Sequence, residues 1–164
     1  MQKEASCLKE TNNLNLYTMR NILLFVFVAC LSLQVNAQKS DKELVTRACM
    51  SYIEGFYEGN TDKLKAALKP SLHKFGFWKS KKTKAYGKAS YMTFEGALKF
   101  AENVKKKKDF AKEDSPKGVE ILDLMDKIAA VKVTAYWGTD YMLLSKQKNG
   151  SWMIEQVIWQ GPNK

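Results

Sequence analysis

The chain has 164 residues and a formal net charge of +10 at pH 7, from 27 Lys and Arg residues against 17 Asp and Glu residues. This length accommodates one compact domain with a hydrophobic core but excludes two such domains. The sequence contains no GxSxG, P-loop or dinucleotide-binding motif, which argues against the enzyme classes that those motifs define.

Residues 19–37 have the layout of a cleavable secretory signal. Arg20 supplies the cationic start, residues 22–33 form an apolar run, and short residues precede Gln38. The run is shorter than the ~20 residues that a membrane-spanning helix needs. We therefore expect an exported protein, periplasmic or secreted, with no stable membrane span after cleavage.

The same pattern divides the chain into three parts. Residues 1–18 are polar and are predicted to be an upstream extension before a true start at Met19, and residues 38–164 form the predicted single domain. Lipid attachment at Cys30 is the alternative, although Phe27 occupies a position where a lipobox usually has Leu. Cleavage would leave Cys49 as the one cysteine, which excludes an intramolecular disulfide.

Three helices are predicted in the first two thirds of the domain. The first begins with the capping box Ser40-Asp41-Lys42-Glu43 and ends at Gly59. Its apolar stripe consists of Val45, Ala48, Cys49, Tyr52, Ile53 and Phe56. The second is predicted over residues 62–69 and is ended by Pro70, and the third follows Thr93 and runs from Phe94 to about Lys107.

The rest of the domain is predicted to form strands. The first carries Phe75 and Phe77 on one face and Lys74, Gly76 and Trp78 on the other. The predicted strands cover residues 73–79, 117–125, 127–137, 139–147 and 151–160, with a short extended segment at 86–92. Helices followed by a run of strands indicate an α+β fold in which a curved antiparallel sheet of about five to six strands covers the helices.

The register of the last hairpin depends on the turn at Asn149-Gly150. A two-residue type I′ turn would pair Asp140 with Trp159, Met142 with Val157, Leu144 with Glu155, and Lys146 with Met153. It would place Tyr141, Leu143, Trp152, Ile154 and Ile158 together on the opposite face. A longer loop would shift the pairs and could change their faces.

Two stretches of the sequence resemble a known superfamily. They are the helix Tyr52-Ile53-Glu54-Gly55-Phe56-Tyr57 with Gly59-Asn60, and the tail with Asp140-Tyr141 and Asn149-Gly150-Ser151-Trp152-Met153-Ile154. In both, the chain resembles the NTF2-like superfamily, and most closely the exported bacterial group named "putative lumazine-binding", which is near the SnoaL-like domains. The resemblance covers about residues 41–160. Lys69 stands where many relatives carry a His.

The resemblance implies an NTF2-like cone and, as in many relatives, a homodimer formed through the sheet. It leaves two functions open, because this fold hosts both binding proteins and enzymes. The first is a non-catalytic small-molecule-binding or interaction module of the cell envelope. The second is a cofactor-independent isomerase, dehydratase or hydrolase related to ketosteroid isomerases and SnoaL-like enzymes, with Asp140 as general base.

Candidate site residues follow from these two functions. Asp140 is the best candidate for a base because it lies on an otherwise apolar strand face, and His73 or Tyr52 could assist it. A structural role for Asp140 is the more common one for such a group. A small apolar or aromatic ligand would be bound by the aromatic side chains Tyr57, Trp78, Tyr136, Trp137 and Trp159.

Other kinds of site have little support in the sequence. One histidine and scattered carboxylates show no metal-ligand spacing, so we expect no metal and no cofactor. Cys49 lies on the apolar stripe and is expected to be a buried thiol. The lysines at 79–84 and 105–108 lack interleaved aromatics, so a solvated surface is expected in place of a nucleic-acid interface.

Overall fold

A computed structural model describes residues 40–162 of the chain. It contains three helices and six strands: α1 (Asp41–Glu58), α2 (Thr61–Ala67), β1 (Leu68–Phe77), β2 (Ser90–Met92), α3 (Phe94–Lys107), β3 (Gly118–Leu124), β4 (Ile128–Ala135), β5 (Gly138–Lys146) and β6 (Trp152–Gln160). The strands form one curved sheet in the order β2-β1-β6-β5-β4-β3, with the helices on its inner face. The predicted α+β cone is confirmed.

The sheet is mixed, whereas a purely antiparallel sheet was expected. β1 and β6 are parallel neighbours at its centre, and all other neighbouring pairs are antiparallel. Parallel neighbours need a long connection, and here the whole of β2, α3 and the β3–β5 meander lies between them. The packing of the first and last strands side by side joins the two halves of the domain.

The helix boundaries follow the capping signals. Ser40 and Glu43 form the predicted capping box of α1, and Gly59 ends the helix in the left-handed conformation (φ 64°). Thr93 caps α3 by accepting from the backbone N–H of Gly96. All six residues of the predicted α1 stripe are buried, so the sequence pattern located the helix face that packs on the sheet.

The second helix ends two residues earlier than predicted, and Pro70 lies inside β1. Leu68 is fully buried and takes an extended conformation opposite Ile154 of β6. The pairing of β1 with β6 is then interrupted until His73. This interruption accommodates Pro70, which has no N–H to donate to a neighbouring strand.

The hairpin between β5 and β6 has a three-residue loop, not the two-residue turn on which the predicted register was based. The backbone N–H of Gln147 donates to the carbonyl of Ser151, and that of Gly150 donates to the carbonyl of Gln147. Gly150 adopts φ 83°, the left-handed position of such a loop. Lys146 therefore pairs with Trp152, so the predicted pair with Met153 is wrong.

A β-bulge at Glu155 restores the predicted register farther along the hairpin. Leu144 pairs with Ile154 and Leu143 with Gln156, so Glu155 has no opposite residue. Beyond the bulge, Asp140 pairs with Trp159 and Met142 with Val157, as predicted. The three-residue loop places Trp152 and Ile154 on the buried face, not on the outer face as predicted, and the bulge keeps Val157 and Trp159 on that buried face. Tyr141, Leu143 and Ile158 are exposed on the other face, as predicted.

Side-chain contacts stabilise this irregular end of the sheet. Glu155 pairs with Lys69, at 3.2 Å between Oε1 and Nζ, and accepts from the Ser145 hydroxyl. Trp152 donates through Nε1 to Asp41 at 3.0 Å, and Lys146 pairs with the same carboxylate at 2.7 Å. These contacts tie the start of α1 to the end of the hairpin.

The faces of two residues at the end of β3 differ from the prediction. Alternation in the sequence predicts that Met125 lies on the same face as Val119 and Ile121, and Leu124 on the opposite face. A register shift between Ile121 and Asp123 in β3 instead turns Leu124 toward the core and leaves Met125 60% exposed. In the described part of the chain, no helix has the length and apolar character needed to cross a membrane.

Candidate functional site

The inner face of the sheet and two helices enclose a pocket of about 220 Å³. Its walls are mainly aromatic, with few polar groups, and come from α1, β1, β2, α3, β6 and the turn between β4 and β5. The lining residues are Tyr52, Phe56, Lys74, Trp78, Ser90, Met92, Phe100, Tyr136, Trp137 and Trp159. A concave, apolar site with a few convergent polar groups is the usual form of a small-molecule site.

Two polar side chains of the wall, Lys74 and Tyr52, form a buried hydrogen-bonded chain with Asp140, which lies behind them. The Tyr52 hydroxyl donates to Oδ2 of Asp140 at 2.7 Å and accepts from Nζ of Lys74 at 2.7 Å. Trp137 donates through Nε1 to the other oxygen of Asp140 at 3.0 Å. Asp140 is fully buried, so both of its oxygens are satisfied by protein groups behind the pocket wall.

Local strand geometry explains why Lys74 enters this site. Successive side chains of β1 alternate between faces, so Lys74, Gly76 and Trp78 point to the inner side, whereas His73 and Phe75 point outward. Lys74 is only 6% exposed. Its Nζ lies 5.4 Å from the ring centroid of Tyr52 and 5.5 Å from that of Trp159. Contact with the aromatic faces offsets only part of the cost of burying the ammonium form.

Burial changes the protonation behaviour of two of these groups. Loss of hydration lowers the pKa of Lys74 from 10.5 to about 8, while the nearby Asp140 acts in the opposite direction. Loss of hydration, and then the charge of Asp140, raise the pKa of Tyr52 well above its ordinary value. Tyr52 therefore stays protonated at neutral pH and can keep donating to Asp140.

Trp159 and Trp78 form one side of the pocket. Their ring centroids are 4.7 Å apart and the rings meet edge to face. Trp159 lies directly across Gly76: a Cβ atom at this glycine would be 2.2 Å from Cδ2 of the indole. Gly76 is therefore required for the indole to lie flat over β1.

The opposite side is formed by Trp137 and Phe56. The Trp137 ring meets Phe56 edge to face at 5.7 Å and Tyr52 at 5.9 Å. Gly138, with φ 134°, turns the chain between β4 and β5 immediately after Trp137. This turn and the hydrogen bond to Asp140 fix the orientation of the indole.

The predicted site residues separate into two groups in the structure. Asp140 and Tyr52 are in direct contact, and Trp78, Tyr136, Trp137 and Trp159 line the same pocket as Tyr52. His73 does not share this site: it is exposed on the outer face of the sheet, where its ring lies 5.4 Å from Phe75 and 6.4 Å from Tyr91.

Tyr57 also lies outside the pocket wall. It is buried beside Trp137, donates its hydroxyl proton to the carbonyl of Pro116 at 2.6 Å, and accepts from the backbone N–H of Tyr136 at 2.9 Å. These bonds hold the linker before β3 and the turn after β4. Its role in the described geometry is to position that turn.

Lys74 is the one charged residue of the pocket wall, and it was not selected from the sequence. The other lining residues that were not selected are Phe56, Ser90, Met92 and Phe100. The sequence pattern placed Lys74 on the same strand face as Gly76 and Trp78, and that alternation was the signal that could have identified it. A lysine in a lysine-rich chain is easily assigned to the solvated surface. The buried partners that distinguish it, Tyr52 and Asp140, are 22 and 66 positions away in sequence.

Cys49 is not among the residues that line the pocket. Cys49 is a buried free thiol, and burial raises its pKa to about 12. Within residues 40–162, no group of His, Cys, Asp and Glu side chains has an arrangement that could hold a metal ion.

Comparison with known proteins shows which family the chain belongs to. The family described as "putative lumazine-binding" matches residues 40–160. The chain belongs to this family. No curated protein matches the chain.

Solved structures support the fold assignment. An NTF2-like protein of unknown function from Silicibacter pomeroyi DSS-3 superposes with a TM-score of 0.60 at 14% identity, covering 76% of this chain and 100% of that chain. Another NTF2-like protein of unknown function, from Shewanella baltica OS155, has a TM-score of 0.57 at 16% identity, covering 73% and 91% of the two chains. At these identities the likeness shows the NTF2-like fold, as the sequence resemblance implied.

Proposed function

We propose that this "putative lumazine-binding" domain binds a small, flat, ring-containing molecule in the aromatic pocket. The observation that carries the proposal is the buried amine of Lys74 in the wall of a cavity otherwise lined mainly by aromatic side chains. Aromatic rings provide stacking surfaces, and the amine provides a directional contact for a ligand oxygen.

The size and polarity of the pocket narrow the ligand class. A volume of about 220 Å³ is below the 300–1,000 Å³ typical of drug-sized sites, so we infer a ligand of one or two fused rings. A carbonyl or anionic oxygen on that ligand would accept from Lys74. Lumazine, the heterocycle in the family's description, has two fused rings and carbonyl oxygens, and is the first probe to use.

Asp140 acts in this proposal by fixing the polar wall, not by direct contact with a ligand. Both of its oxygens accept from protein donors, and it lies behind Tyr52 and Trp137. A general base must come within hydrogen-bond reach of the proton that it removes. An enzyme that uses Asp140 as its base would therefore have to move the substrate's proton through the Tyr52 hydroxyl. The hydrogen bond that links Asp140 to Tyr52, which lines the pocket, is the one feature that favours this catalytic alternative.

Calorimetric titration with lumazine and a set of one- and two-ring probes such as 2-naphthol tests the binding function. We expect saturable binding of at least one probe, weakened at least about tenfold by Lys74→Met, because loss of one charge-assisted hydrogen bond costs ~1.5–3 kcal/mol. Lys99→Met is the matched control, since Lys99 is an exposed lysine that pairs with Glu102 on α3. Binding that is equal in the two variants, or found with no probe, would contradict the proposal.

We propose further that the domain acts outside the cytoplasm, as an envelope or secreted module. The support is the leader pattern of residues 19–37, which lies outside the described residues. Edman sequencing of protein purified from its native cells should begin near Gln38. An intact Met1 at the amino terminus would rule the export proposal out.

A homodimer through the sheet is proposed from the apolar side chains on the outer face. Tyr91, Tyr141 and Leu143 are 70%, 54% and 51% exposed there, and contiguous exposed apolar surface often marks an interaction site. Light scattering of the purified domain should give twice the monomer mass. A Tyr141→Lys change should reduce that mass to the monomer value; a monomeric unsubstituted protein would contradict this proposal.

A further inference from the structure

Lys74 differs from a simple ligand-orienting lysine in its surroundings. Its Nζ has one hydrogen-bond partner among the described residues, the Tyr52 hydroxyl, and no described carboxylate forms an ion pair with it. Asp140 is separated from the amine by the Tyr52 hydroxyl. The amine thus lies beside a proton donor and acceptor, within an apolar cavity.

Such an environment favours the neutral form of an amine, because an ammonium group loses hydration there without a direct counter-ion. With a pKa of about 8, a larger fraction of Lys74 is neutral at pH 7 than of a lysine with the ordinary pKa of 10.5. Desolvated lysines of this kind are the amines that react with carbonyl compounds in enzymes.

We propose that Lys74 forms an imine with small aromatic aldehydes or ketones that enter the pocket. This inference rests on the proposed ligand-binding function and specifies the ligand's reactive group. The geometry that supports it is the position of Nζ in the cavity wall, 2.7 Å from the hydroxyl of Tyr52 and beside the ring of Trp159.

The reaction is balanced without a further reactant. The Lys74 nitrogen lone pair attacks the carbonyl carbon, and the electron pair of the carbonyl double bond moves to oxygen. One proton passes from nitrogen to that oxygen through the Tyr52 hydroxyl, giving a carbinolamine. The carbinolamine then loses its hydroxyl group with the remaining nitrogen proton as one water molecule, and the carbon–nitrogen double bond forms.

Tyr52 is a proton-transfer group in this scheme and Asp140 a positioning residue. As Tyr52 accepts the proton from nitrogen, its hydroxyl turns its own proton from Asp140 to the ligand oxygen and afterwards donates to Asp140 again. Its protonation state is therefore the same before and after the reaction. Asp140 holds the hydroxyl in place through its 2.7 Å hydrogen bond. The charged and titratable groups that face Lys74 are thus Tyr52 directly and Asp140 through it.

Reductive trapping tests the inference. The full chain is incubated near neutral pH with 2-naphthaldehyde and sodium cyanoborohydride, which reduces an imine to a stable secondary amine, and the modified lysines are located by peptide mass spectrometry. We expect labelling of Lys74 at least about tenfold faster than labelling of the exposed Lys99, because the neutral amine is the reactive form. Tyr52→Phe should slow the labelling of Lys74 and leave that of Lys99 unchanged.

Two controls separate the possible outcomes. Lys74→Arg removes the reactive amine and should abolish the fast labelling, whereas Lys99→Arg should not. An excess of 2-naphthol, which has the same rings without a carbonyl carbon, should protect Lys74 in the unsubstituted protein. If 2-naphthol binds but Lys74 is labelled no faster than Lys99, the imine inference is overturned and the binding function stands; if 2-naphthol fails to bind along with lumazine and every other probe, both fail.

Discussion

At the scale of single residues, Tyr52 is the group on which the polar wall depends. Its hydroxyl donates to Asp140 and accepts from Lys74, so one oxygen satisfies two buried groups of opposite charge. Buried charged groups are costly unless they are hydrogen-bonded. Loss of the Tyr52 hydroxyl should therefore lower the stability of the domain more than loss of the hydroxyl of an exposed tyrosine.

A Tyr52→Phe change is predicted to destabilise the domain by roughly 2–4 kcal/mol, because it leaves one oxygen of Asp140 and the amine of Lys74 without their hydrogen bonds. Tyr91→Phe is the matched control: Tyr91 is 70% exposed, and its change should stay within about 0.5 kcal/mol. Urea denaturation of both variants gives the comparison. Equal effects would contradict the assigned role of the Tyr52 hydroxyl.

The lowered pKa of Lys74 predicts a particular pH dependence of stability. Between about pH 8 and 10.5 the unfolded chain still binds the lysine proton that the folded chain has released. Because the unfolded state then holds more protons, the free energy of unfolding rises with pH across this window. Below about pH 8, the charged and buried Lys74 thus lowers the free energy of unfolding. This loss of stability disappears as the pH increases.

Lys74→Met removes this contribution. The difference in unfolding free energy, unsubstituted protein minus variant, should increase by roughly 2 kcal/mol from about pH 7.5 to about pH 9.5. Denaturant titrations at several pH values measure it, and Lys99→Met should show no such trend. A difference that stays constant or falls with pH would mean that folding does not lower the pKa of Lys74.

At the scale of secondary-structure elements, the pocket depends on the close packing of two parallel strands. Gly76 of β1 pairs with Trp159 of β6, and the indole occupies the space where any larger residue at position 76 would place its Cβ. The indole in turn contacts Trp78. The position of this pocket wall is therefore set by one glycine.

Gly76→Ala is predicted to displace the Trp159 indole, with a loss of roughly 1–3 kcal/mol of stability from overpacking and with weaker ligand binding. Gly87→Ala is the control, because nothing lies within 4 Å of a Cβ at that position. Thermal unfolding measures the loss of stability, and the tryptophan fluorescence spectrum reports the displacement of the Trp159 indole. Unchanged fluorescence and stability in Gly76→Ala would show that the indole does not depend on this packing.

The β5–β6 hairpin shows what the sequence could and could not predict. Asn149-Gly150 correctly indicated a turn, but the same two residues fit a two-residue turn and a three-residue loop with Gly150 in the left-handed conformation. The bulge at Glu155 compensates for the extra loop residue, so Asp140 and Trp159 are paired as predicted although the turn type was wrong. The bulge depends on contacts with Lys69 and Ser145, which no local pattern encodes.

At the scale of the whole molecule, periodicity and capping signals were sufficient for the fold class. The α1 stripe and the Gly59 cap both follow from local spacing, and the order of the elements indicated helices covered by a curved sheet. The parallel pairing of β1 with β6 was not predicted, because it joins residues more than eighty positions apart. Sequence patterns report which face is buried, and they do not report the distant strand that covers it.

The same distinction applies to the site. Aromatic residues expected to line a pocket mostly do so, because large side chains on the inner face of a curved sheet face one another across the concavity. Alternation along the strand separated Lys74 from its neighbour His73, but it did not indicate which of the two residues faces the pocket. Only the burial of Lys74 against Tyr52 and Trp159 identifies it as the polar group of the pocket.

A crystal structure of the domain with the tightest-binding one- or two-ring probe would show directly whether the aromatic pocket and Lys74 bind the ligand. We expect the ligand's rings to lie between Trp137 and the Trp78–Trp159 pair. A ligand oxygen, or the carbonyl carbon in the case of an aldehyde, should lie at the amine of Lys74. A ligand bound on the outer face of the sheet, or a pocket in which Lys74 makes no contact with the bound ligand, would contradict this expectation.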